Sequence, residues 1–579
     1  MKKMLSYVKT YKKAAWIALL LMGVELAVEL VQPLVMSQII DEGIQKGHLP
    51  TIWIWGGVLL GLTAIAFGAG IISSFYASDV SQSVGHDIRR DVFGKVQLFS
   101  ETEVQTFSPS TLITRLTNDV TQIQGLIFAG LRIMLRAPLF IIGGIIMSFT
   151  INVGFALIFT AIIPILFFIM LWIMKRGVTL FQKVQRKLDR LNTIIQENLL
   201  GIRLVKAFHR EKHETARFVG VNNSLMDVNK KALRIMELTM PVVMLTMNLG
   251  IVLILWIGSR QIQTGTVQLG DMVAILNYGT RMIASFGVFS FLLMSFTRGR
   301  ASANRIADVL DHESTDVTET GEGMQHTING DICFDNVMFK YPTARDASLK
   351  GISFSVRHGE TIGILGETGS GKSTMAQLIP ALYKPTSGEL RIDDRPMDNY
   401  DVLNLRKQIG IVTQEIQLFS GSIKENIMWG SEEATMEEVV EAAKDACIHR
   451  FIMDLPDQYE TTVGQRGVNL SGGQKQRLQI ARVFVRNPKI LVLDDSTSAL
   501  DAHTERSVLQ SIKNKQCTTL IISQKISSVI EADNILLFHQ GKILAQGKHN
   551  TLLQSNIMYQ NIHRSQMKEE VEPNGQSFE

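Results

Sequence analysis

Six long apolar runs fill the first half of the chain, at residues 15–39, 52–76, 128–149, 153–175, 236–258 and 272–297. Each is long enough for a helix to cross a hydrocarbon core, which takes about 20 residues. One such run alone would fit a buried core helix. Six in succession do not, because a soluble domain has no use for so many helices that are apolar all round. They predict an α-helical polytopic membrane domain of six transmembrane helices. The chain of 579 residues is also too long for one core, and beyond about residue 300 it reads as a mixed globular domain. The first run starts near Ala14 and lacks a small-x-small exit, so it is expected to remain as a helix and not to be cleaved as a signal.

Cations set the expected orientation. Lys2, Lys3, Lys9, Lys12 and Lys13 precede the first run, and Lys and Arg recur from Lys175 to Arg234 between the fourth and fifth. The connections after the first, third and fifth runs hold few, Lys46 and Arg260 among them. The positive-inside rule then predicts a cytosolic N-terminus, cytosolic long loops and a cytosolic C-terminal half in a multi-pass cell-membrane protein. A net charge of +4 is too small to suggest nucleic-acid binding. Cys333, Cys447 and Cys517 are scattered without CxxC spacing, which fits a reducing cytosol and supports neither disulfides nor a zinc site.

The loops at 77–127 and 176–235 are polar and helix-patterned, so their helices should project far beyond the bilayer. Each has a break near its middle, at Thr106-Phe107-Ser108-Pro109-Ser110 and at Ala207-Phe208-His209-Arg210-Glu211. Hairpins with distant tips are suited to touch a cytosolic domain. Inside the first run, Glu25 and Glu29 stand four apart and share a helix face. An ionisable group at that depth is costly and should face protein or a water-filled cavity. Three readings are open: attraction for a cationic amphipathic substrate, pairing with Arg132, Arg136 or Arg281, or a face that is simply wet.

After residue 311 the chain turns polar and Gly- and Thr-rich, which marks 312–330 as a linker between a membrane domain (1–311) and a second domain (331–565), with a polar tail at 566–579. Within the second domain, Ile332-Cys333-Phe334, Val337-Met338-Phe339 and Ile352–Val356 alternate like half-buried strands. Thr361-Ile362-Gly363-Ile364-Leu365 reads as a buried strand and runs into Gly366-Glu367-Thr368-Gly369-Ser370-Gly371-Lys372-Ser373-Thr374. This is GxxxxGK[ST] in its strand–loop–helix context, a phosphate-binding loop. Glycines let backbone N–H groups close around phosphates, and the helix N-terminus favours the anion. Lys372 brings positive charge to the β- and γ-phosphates of ATP, and the Ser373 hydroxyl is a ligand for Mg²⁺. A second apolar strand, Ile490-Leu491-Val492-Leu493, ends in Asp494-Asp495, which puts Asp494 in position to hold the metal.

Between these elements stands Leu470-Ser471-Gly472-Gly473-Gln474. With it the chain resembles the ATP-binding cassette (ABC) superfamily over nearly its whole length, and its long loops and membrane-first order resemble the exporter branch. The resemblance implies an exporter fold of six transmembrane helices fused to an α/β P-loop NTPase cassette. It implies that Tyr341 stacks on adenine, that Gln414 touches Mg²⁺, that Asp501 belongs to the D-loop, and that Ser471, Gly472, Gly473 and Gln474 reach the ATP of a second cassette in a head-to-tail pair. Three positions depart from the family pattern. Gln465 stands where Glu is usual in the X-loop. Asp495 replaces the Glu that polarises the attacking water, and Gln524 replaces the His near the γ-phosphate. A misplacement of about 1 Å can cost roughly 100-fold in rate, and Gln carries no charge to offset the transition state. The expectation is a site that binds ATP and hydrolyses it poorly. The chain therefore resembles the degenerate-site subunit of heterodimeric bacterial multidrug exporters, with a partner half-transporter supplying Glu and His. The implied function is ATP-driven export of amphipathic drugs or other hydrophobic compounds across the cell membrane, with Glu25 and Glu29 tilting the reading toward cationic ones. Lipid flipping, or export by a homodimer, is the alternative.

Overall fold

The computed structural model describes residues 2–263, 266–312, 326–342 and 344–571. Most of the expected linker (313–325) and the end of the expected tail (572–579) lie outside them. The chain divides into two compact units, Met1–Gln97 with Pro109–His312, and Leu98–Ser108 with Glu313–Glu579.

In the first unit, helix Lys12–Gln38 continues into a π-helical turn, Ile39–Ile44, and packs along helix Leu49–Gln97. The third apolar run is not one uniform helix. It is built from Val120–Ala129, a π-helical turn Gly130–Met134, and Arg136–Ile151. Asn152 then breaks the chain for a single residue and caps helix Val153–Leu200, its side-chain oxygen accepting from the N–H groups of Gly154 and Phe155 at 2.9 and 3.2 Å. With 48 residues this helix is about 70 Å long, more than twice the thickness of a hydrocarbon core. Among the described residues, five helical stretches are long and apolar enough to span: Lys12–Ile44, Leu49–Gln97, Pro109–Ile151, Val153–Leu200 and Glu211–Gln263. The sixth expected span lies in the single helix Leu269–Leu310, where some side chains fall outside the description.

Both loop breaks fall where the sequence puts them. Helix Glu101–Phe107 ends at Ser108, whose φ is +49°, before helix Pro109–Thr114 begins. Helix Ile202–Ala207 ends at His209, φ +51°, before helix Glu211–Glu237. Ser100 and Glu103 form a reciprocal capping box that starts the first of these tips.

The core of this unit gathers Phe155, Phe159, Met247, Ile254, Tyr278 and Met282, all fully buried. One buried polar contact ties the first spanning stretch to the last helix: Gly270 N–H donates to Asp41 Oδ1 at 2.7 Å. A Cβ on Gly270 would stand 2.4 Å from Asp41 Oδ2 and 2.4 Å from the Ser37 carbonyl oxygen.

The second unit holds twelve strands among the described residues: β1 Ile332–Phe339, β2 Leu349–Val356, β3 Thr361–Gly366, β4 Ser387–Ile392, β5 Arg395–Pro396, β6 Ile409–Val412, β7 Gly421–Ser422, β8 Thr462–Val463, β9 Ile490–Asp494, β10 Thr518–Ser523, β11 Asn534–His539 and β12 Lys542–Gly547. An antiparallel sheet has the order β2-β1-β4-β5. The larger sheet has the order β12-β11-β3-β10-β9-β6 and is parallel except for β12. Strands β9 and β10 are buried along their whole length, which is why they read as continuous apolar runs and not as alternating ones. Helix Ile557–Val571 runs past residue 565, and Gln566 is tied into this unit instead of starting a tail: it accepts from Ile526 N–H at 2.8 Å and donates to Gln524 O at 2.7 Å.

Gly270→Ala should destabilise the protein by about 1–3 kcal/mol through overpacking, lowering the melting temperature by roughly 2–10 °C in a thermal-shift assay. Gly220→Ala, at a position with nothing within 4 Å of the added carbon, should leave it unchanged or slightly raised.

Candidate nucleotide site and intramembrane charge cluster

Strand order places the chemistry. In the sequence β3-β10-β9, Ser523 pairs with Leu365 and Ile522 with Asp494, so the three strands end level with one another. The phosphate loop follows β3, Gln524 follows β10, and Asp494-Asp495 closes β9, all at the carboxyl edge of the sheet, where α/β folds bind ligands. A cavity of about 560 Å³ lies there, lined among others by Thr368, Gly369, Gly371, Lys372, Ser373, Thr374, Gln414, Asp494, Asp495 and Gln524.

The loop is glycine-dependent where it turns. Gly369 and Gly371 have φ of +81° and +102°, and a Cβ on Gly371 would stand 2.7 Å from Ser348 O. Gly366 is held tightly as well: its Cβ would meet Phe538 O at 2.4 Å. Lys372 Nζ donates to the carbonyl oxygens of Gly366 and Glu367, both at 2.7 Å. Ser373 Oγ donates to Asp494 Oδ1 at 3.0 Å. Burial pushes the Asp494 carboxyl above its ordinary range, against the hydrogen bond from Ser373; the neighbouring Asp495 charge raises it further and Lys372 lowers it. Burial also raises Asp495, with Lys372 and Lys525 opposing, and lowers the Lys372 ammonium, opposed by Asp494, Asp495 and Glu367. Among the described residues no group of three or more His, Cys, Asp and Glu is placed to hold a metal. One carboxylate, a hydroxyl and an amide oxygen nonetheless suit Mg²⁺, which prefers hard oxygen ligands and completes its shell with waters and phosphate. Asp494, Ser373 and Gln414 supply that set.

Asp495 has a left-handed backbone, φ +48°. Gln524 is exposed at the cavity. Tyr341 is not part of the lining: its hydroxyl lies 3.2 Å from Thr374 Oγ1, and its ring meets Phe339 and Tyr383 edge-on. The signature residues do not line this cavity either. Ser471 caps helix Gly472–Phe484 in a reciprocal box with Gln474, and Ser471 and Gly472 are exposed. Asp501 uses its carboxylate to cap helix Ala502–Asn514, accepting from Thr504 N–H at 3.0 Å and from Thr504 Oγ1–H at 2.7 Å. Sequence reasoning overlooked Lys350 and Gln540, which line the cavity from β2 and from the turn after β11. Gln476, two residues past the signature, is buried behind it, and its side chain accepts from Ala499 N–H at 3.0 Å and thereby joins signature helix and D-loop. No local motif marks Lys350 or Gln540; only the fold brings them in.

Residues 15–286 match the ABC transporter transmembrane region, and residues 349–498 match the family described as ABC transporter. The Uncharacterized ABC transporter ATP-binding protein YfiB of Bacillus subtilis (strain 168) is 51% identical over 98% of this chain and 99% of its own length. The chain belongs to the ABC transporter family. The Putative multidrug export ATP-binding/permease protein YgaD of Bacillus subtilis (strain 168) is 32% identical over 97% of this chain and 98% of its own length. The ATP-dependent lipid A-core flippase of Chromohalobacter salexigens is 31% identical over 98% of each chain. A solved bacterial Atm1-family ABC exporter with ATP bound superposes with a TM-score of 0.79 at 25% identity, covering 98% of this chain and 99% of its own. The fold is that of an ABC exporter, a multi-pass membrane protein with its own ATPase domain.

Within the membrane unit of this exporter, Glu25 and Glu29 are not free anions. Arg132 Nη1 reaches Glu25 Oε2 at 2.7 Å, and Arg136 bridges both carboxylates, at 2.8 Å to Glu25 Oε1 and 2.9 Å to Glu29 Oε2. Arg281 donates to the Glu29 carbonyl and to Gln32 Oε1, both at 3.0 Å, and stands 3.8 Å from the Glu29 carboxylate. Of the three readings left open by the sequence, arginine pairing is the arrangement present. The physical reason is desolvation, since an unpaired carboxylate at that depth is costly.

Lys372→Ala should weaken ATP binding by about 10–100-fold in isothermal titration calorimetry, the worth of hydrogen bonds from a charged donor. Because Asp494 holds its proton to higher pH than a solvated aspartate, whose pKa is about 3.9, protons should compete with Mg²⁺ sooner on acidification. Mg²⁺-dependent ATP binding should fall as pH drops through that raised value, and Asp494→Asn should remove the pH step.

Proposed function

We propose that this chain is one subunit of a heterodimeric exporter in the cell membrane, with its N-terminus and ATPase domain cytosolic, that moves amphipathic compounds outward at the expense of ATP. The observation that carries the reading is the composition of the catalytic edge. The phosphate-gripping Lys372, Ser373 and Asp494 share one cavity with Asp495 and Gln524, in place of the Glu and His usual at the last two positions. Lys372 and the loop N–H groups bind and orient the β- and γ-phosphates, and Ser373, Asp494 and Gln414 would hold Mg²⁺. When bound, that ion neutralises charge on the phosphate oxygens. Asp495 would have to orient the attacking water from one methylene further back than Glu does. Gln524 donates a hydrogen bond but brings no positive charge. This subunit's own site then holds ATP and splits it slowly.

The exposed Ser471 and Gly472 at the open start of their helix form an anion-binding end that faces no phosphate loop of their own unit. They would complete a competent site whose phosphate loop, Glu and His belong to a partner half-transporter. Closure of the two cassettes on ATP, passed through the loop tips, would open the membrane cavity outward, and hydrolysis at the partner's site would reset it. Relatives named as multidrug exporter and as lipid A-core flippase both bear on amphipathic cargo. A preference for cations rested on Glu25 and Glu29, and their arginine partners remove its support.

Asp495→Ala should change the ATPase rate of the assembled pair by less than about twofold, whereas loss of the partner's Glu should cost at least about 100-fold. Brisk ATP turnover and export by the purified chain alone would falsify the heterodimer reading.

A further inference from the structure

The charges inside the membrane unit do not balance. Two carboxylates, Glu25 and Glu29, meet three guanidinium groups, Arg132, Arg136 and Arg281, which leaves one surplus positive charge. Two arginines would have been enough to neutralise the pair, and a surplus cation in a membrane domain is a functional feature by default. The arginine with the most unused donors is Arg132. Arg136 is used on both carboxylates, and Arg281 is held by Glu29 O and Gln32. Arg132 gives one terminal nitrogen to Glu25, while its Nε and Nη2 have no hydrogen-bond partner among the described residues.

Two further observations point to a ligand at this residue. An open groove of about 620 Å³ is lined by Glu25 and Arg132 together with Ile71, Phe128 and the exposed Phe67 and Phe75. Its volume falls among pockets that take drug-sized molecules, about 300–1,000 Å³. The backbone under Arg132 is also irregular: the π-helical turn Gly130–Met134 interrupts two α-helices, and such turns concentrate at functional sites.

We propose that this groove binds an amphipathic molecule with an anionic head, its apolar body against the aromatic wall and its carboxylate, sulfate or phosphate on the free donors of Arg132. The guanidinium fork matches such oxyanions with paired N–H donors. A cationic head would have to displace an arginine from Glu25 and would then face the remaining ones. Binding of this kind deepens the export reading and rests on it only for the direction in which the molecule moves.

The test uses the full-length protein in phosphatidylcholine nanodiscs and two probes with the same chain, 11-(dansylamino)undecanoate and its trimethylammonium counterpart, read by dansyl fluorescence. The carboxylate probe should bind at least about tenfold tighter than the ammonium probe, and Arg132→Gln should erase at least about tenfold of that affinity. Glu25→Gln, which frees the guanidinium, should keep or tighten carboxylate binding. If Arg132→Gln fails to fold, Glu25→Gln carries the decision, and weaker carboxylate binding in it overturns the assignment. Preference for the ammonium probe, binding of neither probe, or an Arg132→Gln variant that folds and binds normally also overturns it. Displacement of the carboxylate probe by phosphatidylglycerol nanodiscs, but not by free phosphate, would support the site with a lipid as its source of anion. ATP-driven uptake is read separately, in inverted vesicles that hold this chain together with its partner half-transporter: tight carboxylate binding without uptake of either probe supports the pocket and counts against the export reading, whereas uptake of the ammonium probe alone removes the pocket.

Discussion

Adjacency of three parallel strands underlies the nucleotide site. Because β10 lies between β3 and β9 in level register, residues separated by more than a hundred positions along the chain reach the same few ångströms of space. The hydrogen bond from Ser373 Oγ to Asp494 spans 121 residues and is 3.0 Å long. A shift of either strand by one residue would turn its side chains to the opposite face and separate the phosphate loop from its metal ligand. The apolar composition of these strands is therefore a positional device as well as a source of core.

Burial of charge is handled in the same way in both units. In the ATPase unit, Asp494 and Lys372 are both buried, and each offsets the desolvation of the other. In the membrane unit the compensation is a lattice of five charges with Arg136 as its bridge. The first set would be completed by ATP phosphate and Mg²⁺, with phosphate oxygens as acceptors for Lys372 in place of its own loop carbonyls. The second has one more cation than its carboxylates require, and Arg132, which keeps donors to spare, touches an open groove. In both places the protein holds a charge that its own groups satisfy only in part.

What the sequence makes legible is local. The phosphate loop, the signature helix with its capping Ser471, the two loop breaks and the parallel strands β3 and β9 each carry their determinants within a few residues, so composition and spacing identify them. The facing of Glu25 and Glu29 is local too, since four residues make one helical turn. Their partners are not, because Arg132 and Arg136 lie 107 residues from the carboxylates they meet. Spacing offers no means to choose between an arginine and a substrate as the counter-charge. The same limit hid Lys350 and Gln540, whose places follow from tertiary packing alone. The π-helical turns also escaped notice, since an added residue in a helix leaves the apolar pattern on either side unchanged.

Asp495 shows why a one-methylene difference need not be absorbed by the surrounding chain. Its N–H donates to Ile522 O at 2.9 Å, and its carbonyl accepts from Ser498 Oγ–H at 3.0 Å. Both flanks of the residue are pinned, one to β10 and one to its own following turn. Its φ of +48° lies in the left-handed region, which Asp occupies more readily than most non-glycine residues. To bring the carboxylate closer to the phosphate end of the cavity, the backbone would have to break one of these bonds or leave that conformation, and either costs more than a small displacement returns. The short side chain thus limits how far the carboxylate reaches, which is the physical ground for the slow hydrolysis proposed at this site.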